Sequence, residues 1–131
     1  MRKVLLIVEG LNDEKQVRGA FADIDEVDVL VTEGTKVNTK TIDDINSFVN
    51  RGYIPYILSD PDDGGNHLAD MIHNHFPDME RIDVDINECG YYTGKKLKAG
   101  VEYASHDYLK NIVFPLIGRR YKKKEYPINW D

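Results

Sequence analysis

Five consecutive apolar residues near the start of the chain, Val4 to Val8, lie between Lys3 and Glu9. A strand with one solvated face alternates apolar and polar residues, so an unbroken apolar run of this length predicts a strand that is buried on both faces. Strands of that kind are typical of parallel sheets that helices cover on both sides. The run therefore favours an α/β protein.

The rest of the chain alternates strand and helix patterns. Further strands are predicted at 27–31, 53–59 and 81–84, and helices from about Asn12, over 41–50, after Gly65 and from an N-cap at Ser105. The third helix is expected to turn His75 inward, and the stretch 85–100 is expected to be irregular. Strands separated by helices predict about four mainly parallel strands with helices on both faces.

Length and composition set outer bounds. A chain of 131 residues suits one core, which we expect to span residues 1–115, followed by a basic C-terminal tail at 116–131. The longest apolar runs are too short to cross a bilayer, so no membrane association is expected. The single cysteine, Cys89, cannot form an internal disulfide, which predicts a cytoplasmic protein.

Charge is distributed unevenly along the chain. The net charge is −6, yet residues 1–80 carry a net −9 and residues 81–131 a net +3. The basic part contains one cluster at 95–98 and another at 119–124. An acidic half that could hold cations, beside a basic half that could hold phosphates, suits a metal-dependent site for phosphate chemistry. A solvated surface with a disordered basic tail explains the charges equally well.

Acidic residues follow two of the predicted strands, where ligands bind in parallel sheets. Glu9 follows the first strand, with Asp13 one helical turn later, and Asp60-Pro61-Asp62 follows the third. Alternate positions of an extended segment point to one side, so Asp60 and Asp62 can face one ion. Clustered carboxylates repel one another unless a cation or a proton intervenes, and Mg²⁺ prefers oxygen ligands. Each motif by itself is also ordinary turn chemistry.

Supporting roles are predicted for nearby residues. Gly10, Gly34 and Gly65 would allow a close approach of the backbone to phosphate, and the turn at Gly65 would offer free N–H groups to an anion. Asp13 would bind a metal indirectly or orient Glu9, although it also suits a simple helix-start charge.

These motifs resemble the Toprim family. The apolar strand ending in Glu9-Gly10-x-x-Asp13, followed by a strand ending in Asp60-x-Asp62-x-x-Gly65, is similar to the pattern of that family. Within the family, residues 32–35 and 94–105 resemble small Toprim proteins and the ribonuclease that matures 5S ribosomal RNA. That narrower pattern has a glutamate where this chain has Asn66.

The resemblance implies a Rossmann-like Toprim fold and a Mg²⁺-dependent endonuclease, with Mn²⁺ as an alternative metal. Asp60 and Asp62 would anchor the metal with Glu9, which would also act as the general acid/base. Structured RNA is the implied substrate, and a protein partner that presents it is left open.

Basic residues complete the predicted site. Lys95, Lys96 and Lys98, which follow Tyr91 and Tyr92, suit a phosphate clamp with base stacking. Arg119 and Arg120 suit a non-specific electrostatic arm.

A non-catalytic module that binds nucleic acid or acts as an adaptor remains the alternative function. The sequence does not decide whether the substrate is RNA or DNA or whether one or two metal ions act. It also leaves the oligomeric state open.

Overall fold

The structure is a computed structural model that describes residues 1–32, 34 and 36–119, without the side chain of Tyr91. None of the helices in these ranges is long and apolar enough to span a membrane. The elements in chain order are β1 (Lys3–Val8), α1 (Leu11–Ala20), β2 (Val27–Val31), α2 (Thr39–Asn50), β3 (Tyr53–Ile57), α3 (Asp63–His73), β4 (Glu80–Arg81), β5 (Gly90–Tyr92), β6 (Leu97–Ala99), a 3₁₀ turn (Val101–Tyr103) and α4 (His106–Ile117).

The main sheet has the strand order β2-β1-β3-β4, and all of its pairings are parallel. All five apolar residues of β1, Val4–Val8, are completely buried. Leu6 belongs to a cluster with side chains of α1 and α4, whereas Ile7 belongs to a cluster with side chains of α2 and α3. The predicted parallel sheet with helices on both faces, and the two-sided burial of its first strand, are confirmed.

The strand order creates a crevice between the ends of β1 and β3. From β1 the chain passes through α1 to β2, and from β3 it passes through α3 to β4 on the other side of the sheet. The two connections diverge, so the carboxyl ends of β1 and β3 remain accessible between them. In open parallel sheets this switch point is where ligands bind.

The fourth strand is shorter than predicted and starts earlier. It covers Glu80–Arg81 instead of 81–84, and the N–H of Ile82 makes one further bond to the carbonyl of Ile57 at 2.8 Å. The alternation of Ile82 and Val84 suggested a longer strand, but these side chains pack partly buried against the core without continuing the ladder. The shift places Arg81 at the carboxyl end of the strand.

The stretch 85–100, expected to be irregular, contains the antiparallel hairpin β5–β6. Its strands have only three residues each, too few for a periodic pattern to reveal. Gly94 turns between them with a left-handed φ of 89°, which favours glycine. The prediction for His75 is wrong, because α3 ends at His73 and His75 is exposed.

Helix α4 begins as predicted, with the Ser105 hydroxyl accepting a bond from the Tyr108 N–H at 3.0 Å. It runs to Ile117, past residue 115, and its last carbonyl accepts a bond from the N–H of Arg2 at 3.2 Å. The end of α4 therefore lies at the amino end of β1, opposite the crevice. Of the predicted tail, residues 120–131 lie outside the described residues.

Side chains occupy the outer edge of β2. The N–H of Thr32 bonds to the carbonyl of Val8, so the backbone groups of Val29 point away from β1. The Val29 N–H donates to Asp28 Oδ1 at 2.8 Å, and its carbonyl accepts from Arg18 Nη2 at 3.1 Å. Arg18 Nη1 also lies 3.3 Å from Asp28 Oδ1. Within the described ranges no strand pairs with this edge. The side chains of Arg18 and Asp28 occupy the backbone groups of Val29 and so hinder the addition of a further strand there.

We expect Arg18→Ala to increase self-association, because it exposes the Val29 carbonyl on a sheet edge. Sedimentation velocity over a series of protein concentrations measures the effect. The matched control is Lys15→Ala, which changes an exposed cation on the same helix. Identical sedimentation of the two variants would contradict the edge-blocking role of Arg18.

Candidate metal centre

The three predicted metal ligands meet at the crevice. Glu9 is the first residue after β1, and Asp60 and Asp62 lie in the loop between β3 and α3. One carboxylate oxygen from each lies within 4.8 Å of the other two. Glu9 and Asp60 are partly buried and Asp62 is exposed, so the group opens to solvent on one side. The Asp60 N–H donates to Glu9 Oε1 at 3.3 Å, which links the two strand ends directly.

Backbone amides of the 3₁₀ turn hold two acidic side chains. The N–H of Val101 donates to Asp60 Oδ1 at 2.7 Å, and the N–H of Glu102 donates to Asp13 Oδ1 at 3.1 Å. The other oxygen of Asp13 accepts a bond from the Gly10 N–H at 3.2 Å. Asp13 is 7% exposed. It therefore fastens the loop after β1 to the 3₁₀ turn, in addition to its place at the start of α1.

The loop after β3 is shaped by Asp62 and Gly65. Asp62 Oδ1 accepts a bond from the Gly65 N–H at 2.7 Å and caps α3. This N–H was predicted to be free for an anion, but the Asp62 side chain occupies it. A Cβ at Gly65 would overlap the backbone carbonyl of Asp60. Ser59, buried beside it, donates its hydroxyl to the Gly65 carbonyl at 3.0 Å. The glycine thus allows two segments of the same backbone, at positions 60 and 65, to approach each other closely.

The other two predicted glycines lie near Glu9. Gly10 precedes α1 in an extended conformation. Gly34 has a left-handed φ of 68°, and its N–H donates to the Glu9 carbonyl at 3.3 Å. The bond from Gly34 supports the backbone at Glu9.

Arg81 is a site residue that the sequence analysis missed. Its Nη2 donates to the Asp60 carbonyl at 2.9 Å, and its Nη1 donates to Asn66 Oδ1 at 2.7 Å. The predicted strand began at Arg81 and so put it at the far end of the sheet from the site. Only the earlier start of β4 brings it to the carboxyl end. Asn66 stands where the pattern of the 5S ribosomal RNA maturase has a glutamate, and its side-chain oxygen accepts the bond from Arg81.

Burial and mutual repulsion raise the pKa values of the clustered carboxyls. Burial, reinforced by the charge of Asp60, raises the pKa of Glu9 to about 7. Burial, and after it the negative charge of Asp60, raises the pKa of Asp13 to about 6. The pKa of Asp60 is raised chiefly by burial, while its bond from the Val101 N–H opposes the rise. The cluster therefore favours a bound proton or a bound cation near neutral pH.

Glu102 is a second residue that the sequence analysis did not select. Its charge raises the pKa of both Asp60 and Asp13. It lies far from both along the chain, and no local pattern placed it at the strand ends. Its position follows from the 3₁₀ turn that packs against α1.

The donor set fits a hard divalent cation. Glu9, Asp60 and Asp62 offer only carboxylate oxygens, which suit Mg²⁺ or Mn²⁺, whereas zinc sites commonly use thiolate and imidazole ligands. Because α3 is capped by a single oxygen of Asp62, its carboxylate keeps acceptor capacity for an ion. The cluster is a candidate site for a divalent metal.

The predicted basic residues divide between two ends of the molecule. Lys96 and Lys98 line a cleft of about 470 Å³ that Asp62 also lines. Lys95 is exposed in the same hairpin, outside that lining. Arg119 lies at the opposite end of the sheet, with its guanidinium 5.3 Å from the centre of the Phe114 ring. Arg120 lies outside the described residues.

The two tyrosines predicted to stack bases are not shown to face the cleft. Tyr92 is 79% exposed, and it does not line the cleft. The side chain of Tyr91 is outside the description.

A solved structure with a similar fold is that of a small TOPRIM domain protein from Bacillus stearothermophilus. The two share a TM-score of 0.63 over 88% of this chain and 86% of that chain, with 21% identity. The chain has a Toprim-like fold. No protein-family model matches its sequence, and neither does any curated protein. At this level of identity the structural similarity establishes the fold alone.

Gly65→Ala should destabilise the protein by about 1–3 kcal/mol, because the added methyl group meets the Asp60 backbone in a packed loop. The free energy of unfolding in urea measures the effect. Gly64→Ala is the matched control, since a Cβ there would lie 3.5 Å from Asp62 Oδ1, an ordinary contact. Equal stability of the two variants would show that the close approach at Gly65 is unimportant.

The stability of the metal-free protein should respond to pH through Glu9. Its pKa rises from 4.5 to about 7 on folding, so the folded state binds more protons in that window. The contribution of Glu9 is therefore fully present below about pH 4.5 and is lost as the pH rises through about 7. Urea unfolding at a series of pH values should show the unsubstituted protein losing stability relative to Glu9→Gln as the pH increases. A difference between the two proteins that is constant with pH would contradict the raised pKa.

Proposed function

We propose that the protein is a Mg²⁺-dependent endonuclease that hydrolyses a phosphodiester of nucleic acid, with structured RNA as the substrate. One observation supports this above all. Glu9, Asp60 and Asp62 meet within 4.8 Å at the switch point of the sheet, where parallel folds bind ligands. Lys96 and Lys98 line the adjoining cleft, so opposite charges border one opening.

The residues of the cluster have distinct tasks in this proposal. Asp60 and Asp62 anchor the cation, and Glu9 completes the site. When bound, Mg²⁺ offsets the charge of a phosphodiester and makes water a better nucleophile. In the metal-free protein, burial, reinforced by the charge of Asp60, raises the pKa of Glu9 to about 7. A carboxylate held beside the ion would be placed to take or give a proton as a general acid/base. Val101 and Arg81 keep Asp60 in place through its carboxylate and its carbonyl.

Structured RNA as the substrate is supported by two segments of the chain. The segments around Thr32 and from Gly94 to Ser105 resemble the ribonuclease that matures 5S ribosomal RNA. In the structure the second of these segments contains the three lysines of the hairpin, its strand β6 and the turn that holds Asp60. A cytoplasmic location and a partner protein that presents the RNA belong to the same proposal.

Glu9→Gln and Asp60→Asn should each lower Mg²⁺-dependent cleavage of end-labelled structured RNA by about a hundredfold or more. Both substitutions keep the size of the side chain and remove one charge. Asp63→Asn removes an exposed carboxylate in the first turn of α3, outside the cluster, and should keep full activity. Gel analysis of the products, with Mg²⁺, Mn²⁺ or EDTA and with duplex DNA in parallel, measures all of these rates.

The outcomes separate the two functions. Cleavage by purified Asp60→Asn protein at the unsubstituted rate would refute the nuclease proposal. Tight, salt-sensitive RNA binding without strand scission in any metal would favour the non-catalytic binding module, for which the exposed lysines of the hairpin are the supporting observation.

A further inference from the structure

A cleft separates the acidic loop after β3 from the hairpin β5–β6. Its volume is about 470 Å³, within the range of small-molecule sites. Asp62 lines one part of it, and Lys96 and Lys98 line another. The candidate metal centre therefore borders a cavity that two lysine side chains also line.

Three large side chains that line this cleft are accessible to solvent. Ile86, Leu97 and Tyr103 all line it, and each is 38% exposed. An exposed apolar patch with a charged rim is typical of a binding surface. The patch includes an aromatic ring, and Leu97, the first residue of β6, lies between Lys96 and Lys98 in the chain.

This combination fits one class of ligand. Phosphate complements the two lysines, and a flat aromatic base complements an apolar wall that contains a tyrosine. The bases of a duplex are stacked and paired inside the helix, so they cannot enter a cavity, whereas unpaired bases can be splayed out and stacked on aromatic side chains. An acidic peptide would also satisfy the lysines, but its carboxylate side chains would place no flat aromatic ring against the apolar wall and Tyr103.

We propose that the cleft binds an unpaired nucleotide of the substrate, with its base against Tyr103 and its phosphate near Lys96 and Lys98. The nucleotide lies beside the metal centre, so the preferred substrate has unpaired residues at the cleavage site. This placement rests on the proposed nuclease function, whereas recognition of an unpaired nucleotide is tested separately from cleavage.

Tyr92 lies in β5 of the hairpin, whereas Tyr103 belongs to the 3₁₀ turn. Because the sequence predicted that Tyr92 stacks bases, its replacement tests whether any exposed tyrosine near the lysines would serve. Tyr92 is 79% exposed and does not line the cleft. Replacement of either tyrosine removes one exposed aromatic ring from this part of the surface. Only the replacement of Tyr103 removes a ring from the cleft.

The test measures binding of a fluorescently labelled oligoribonucleotide, single-stranded or annealed to its complement, by anisotropy. Ca²⁺ replaces Mg²⁺, because it also takes oxygen ligands but with a different geometry, and a gel verifies that the RNA stays intact. Tyr103→Ala should raise the Kd for the single strand about tenfold, and Tyr103→Phe should restore binding. Tyr92→Ala should stay within about twofold of the unsubstituted protein, and the Kd for the duplex should not respond to Tyr103.

Equal losses in Tyr103→Ala and Tyr92→Ala, or an equal loss for the duplex, would overturn the proposal. Circular dichroism verifies the fold of each variant. If Tyr103→Ala does not fold, Leu97→Ala decides by the same criterion, because Leu97 lines the cleft from β6.

Cleavage assays with the unsubstituted protein distinguish the two failures. Binding that depends on Tyr103, without cleavage of any substrate, refutes the nuclease function and supports the cleft as a nucleotide site. Cleavage with binding that does not depend on Tyr103 supports the nuclease function and refutes the cleft.

Discussion

The two-sided burial of β1 is the constraint on which the other features depend. The strand is paired with β2 and β3, and helices cover both of its faces, so Val4–Val8 have no contact with solvent. Glu9 is therefore the first residue that can leave the core. It emerges at the point where the connections from β1 and β3 diverge, beside Asp60. Hydrophobic burial and backbone pairing thus place a carboxylate in a partly dehydrated crevice.

Crowded carboxylates then determine the electrostatics of that crevice. Desolvation and repulsion raise the pKa values of Glu9, Asp13 and Asp60, and the amides of the 3₁₀ turn offset only part of this effect. A divalent cation would relieve the repulsion without protonation. Lys96 and Lys98 stand across the adjoining cleft, which explains how a chain with net charge −6 can present cations to a phosphate.

Local patterns predicted a large part of this arrangement. The apolar run identified β1, and the alternation of Asp60 and Asp62 at a strand end predicted that they meet Glu9. The short hairpin, the early start of β4 and the position of Arg119 could not be predicted in this way. Strands of two or three residues have no measurable period, and a basic cluster in the sequence does not show at which end of the sheet it lies.

The sequence by itself determined the fold class, the central strand and the identity of the three candidate carboxylates. Each is indicated by residues that are neighbours along a strand or in the loop that follows it. Only the tertiary structure decided how those carboxylates are held. The Val101 amide reaches Asp60 across 41 positions of the chain, and the Glu102 amide reaches Asp13 across 89. Such contacts depend on where a late turn packs against α1 and the crevice. No local pattern contains that information, because the packing is settled by the burial of the whole core.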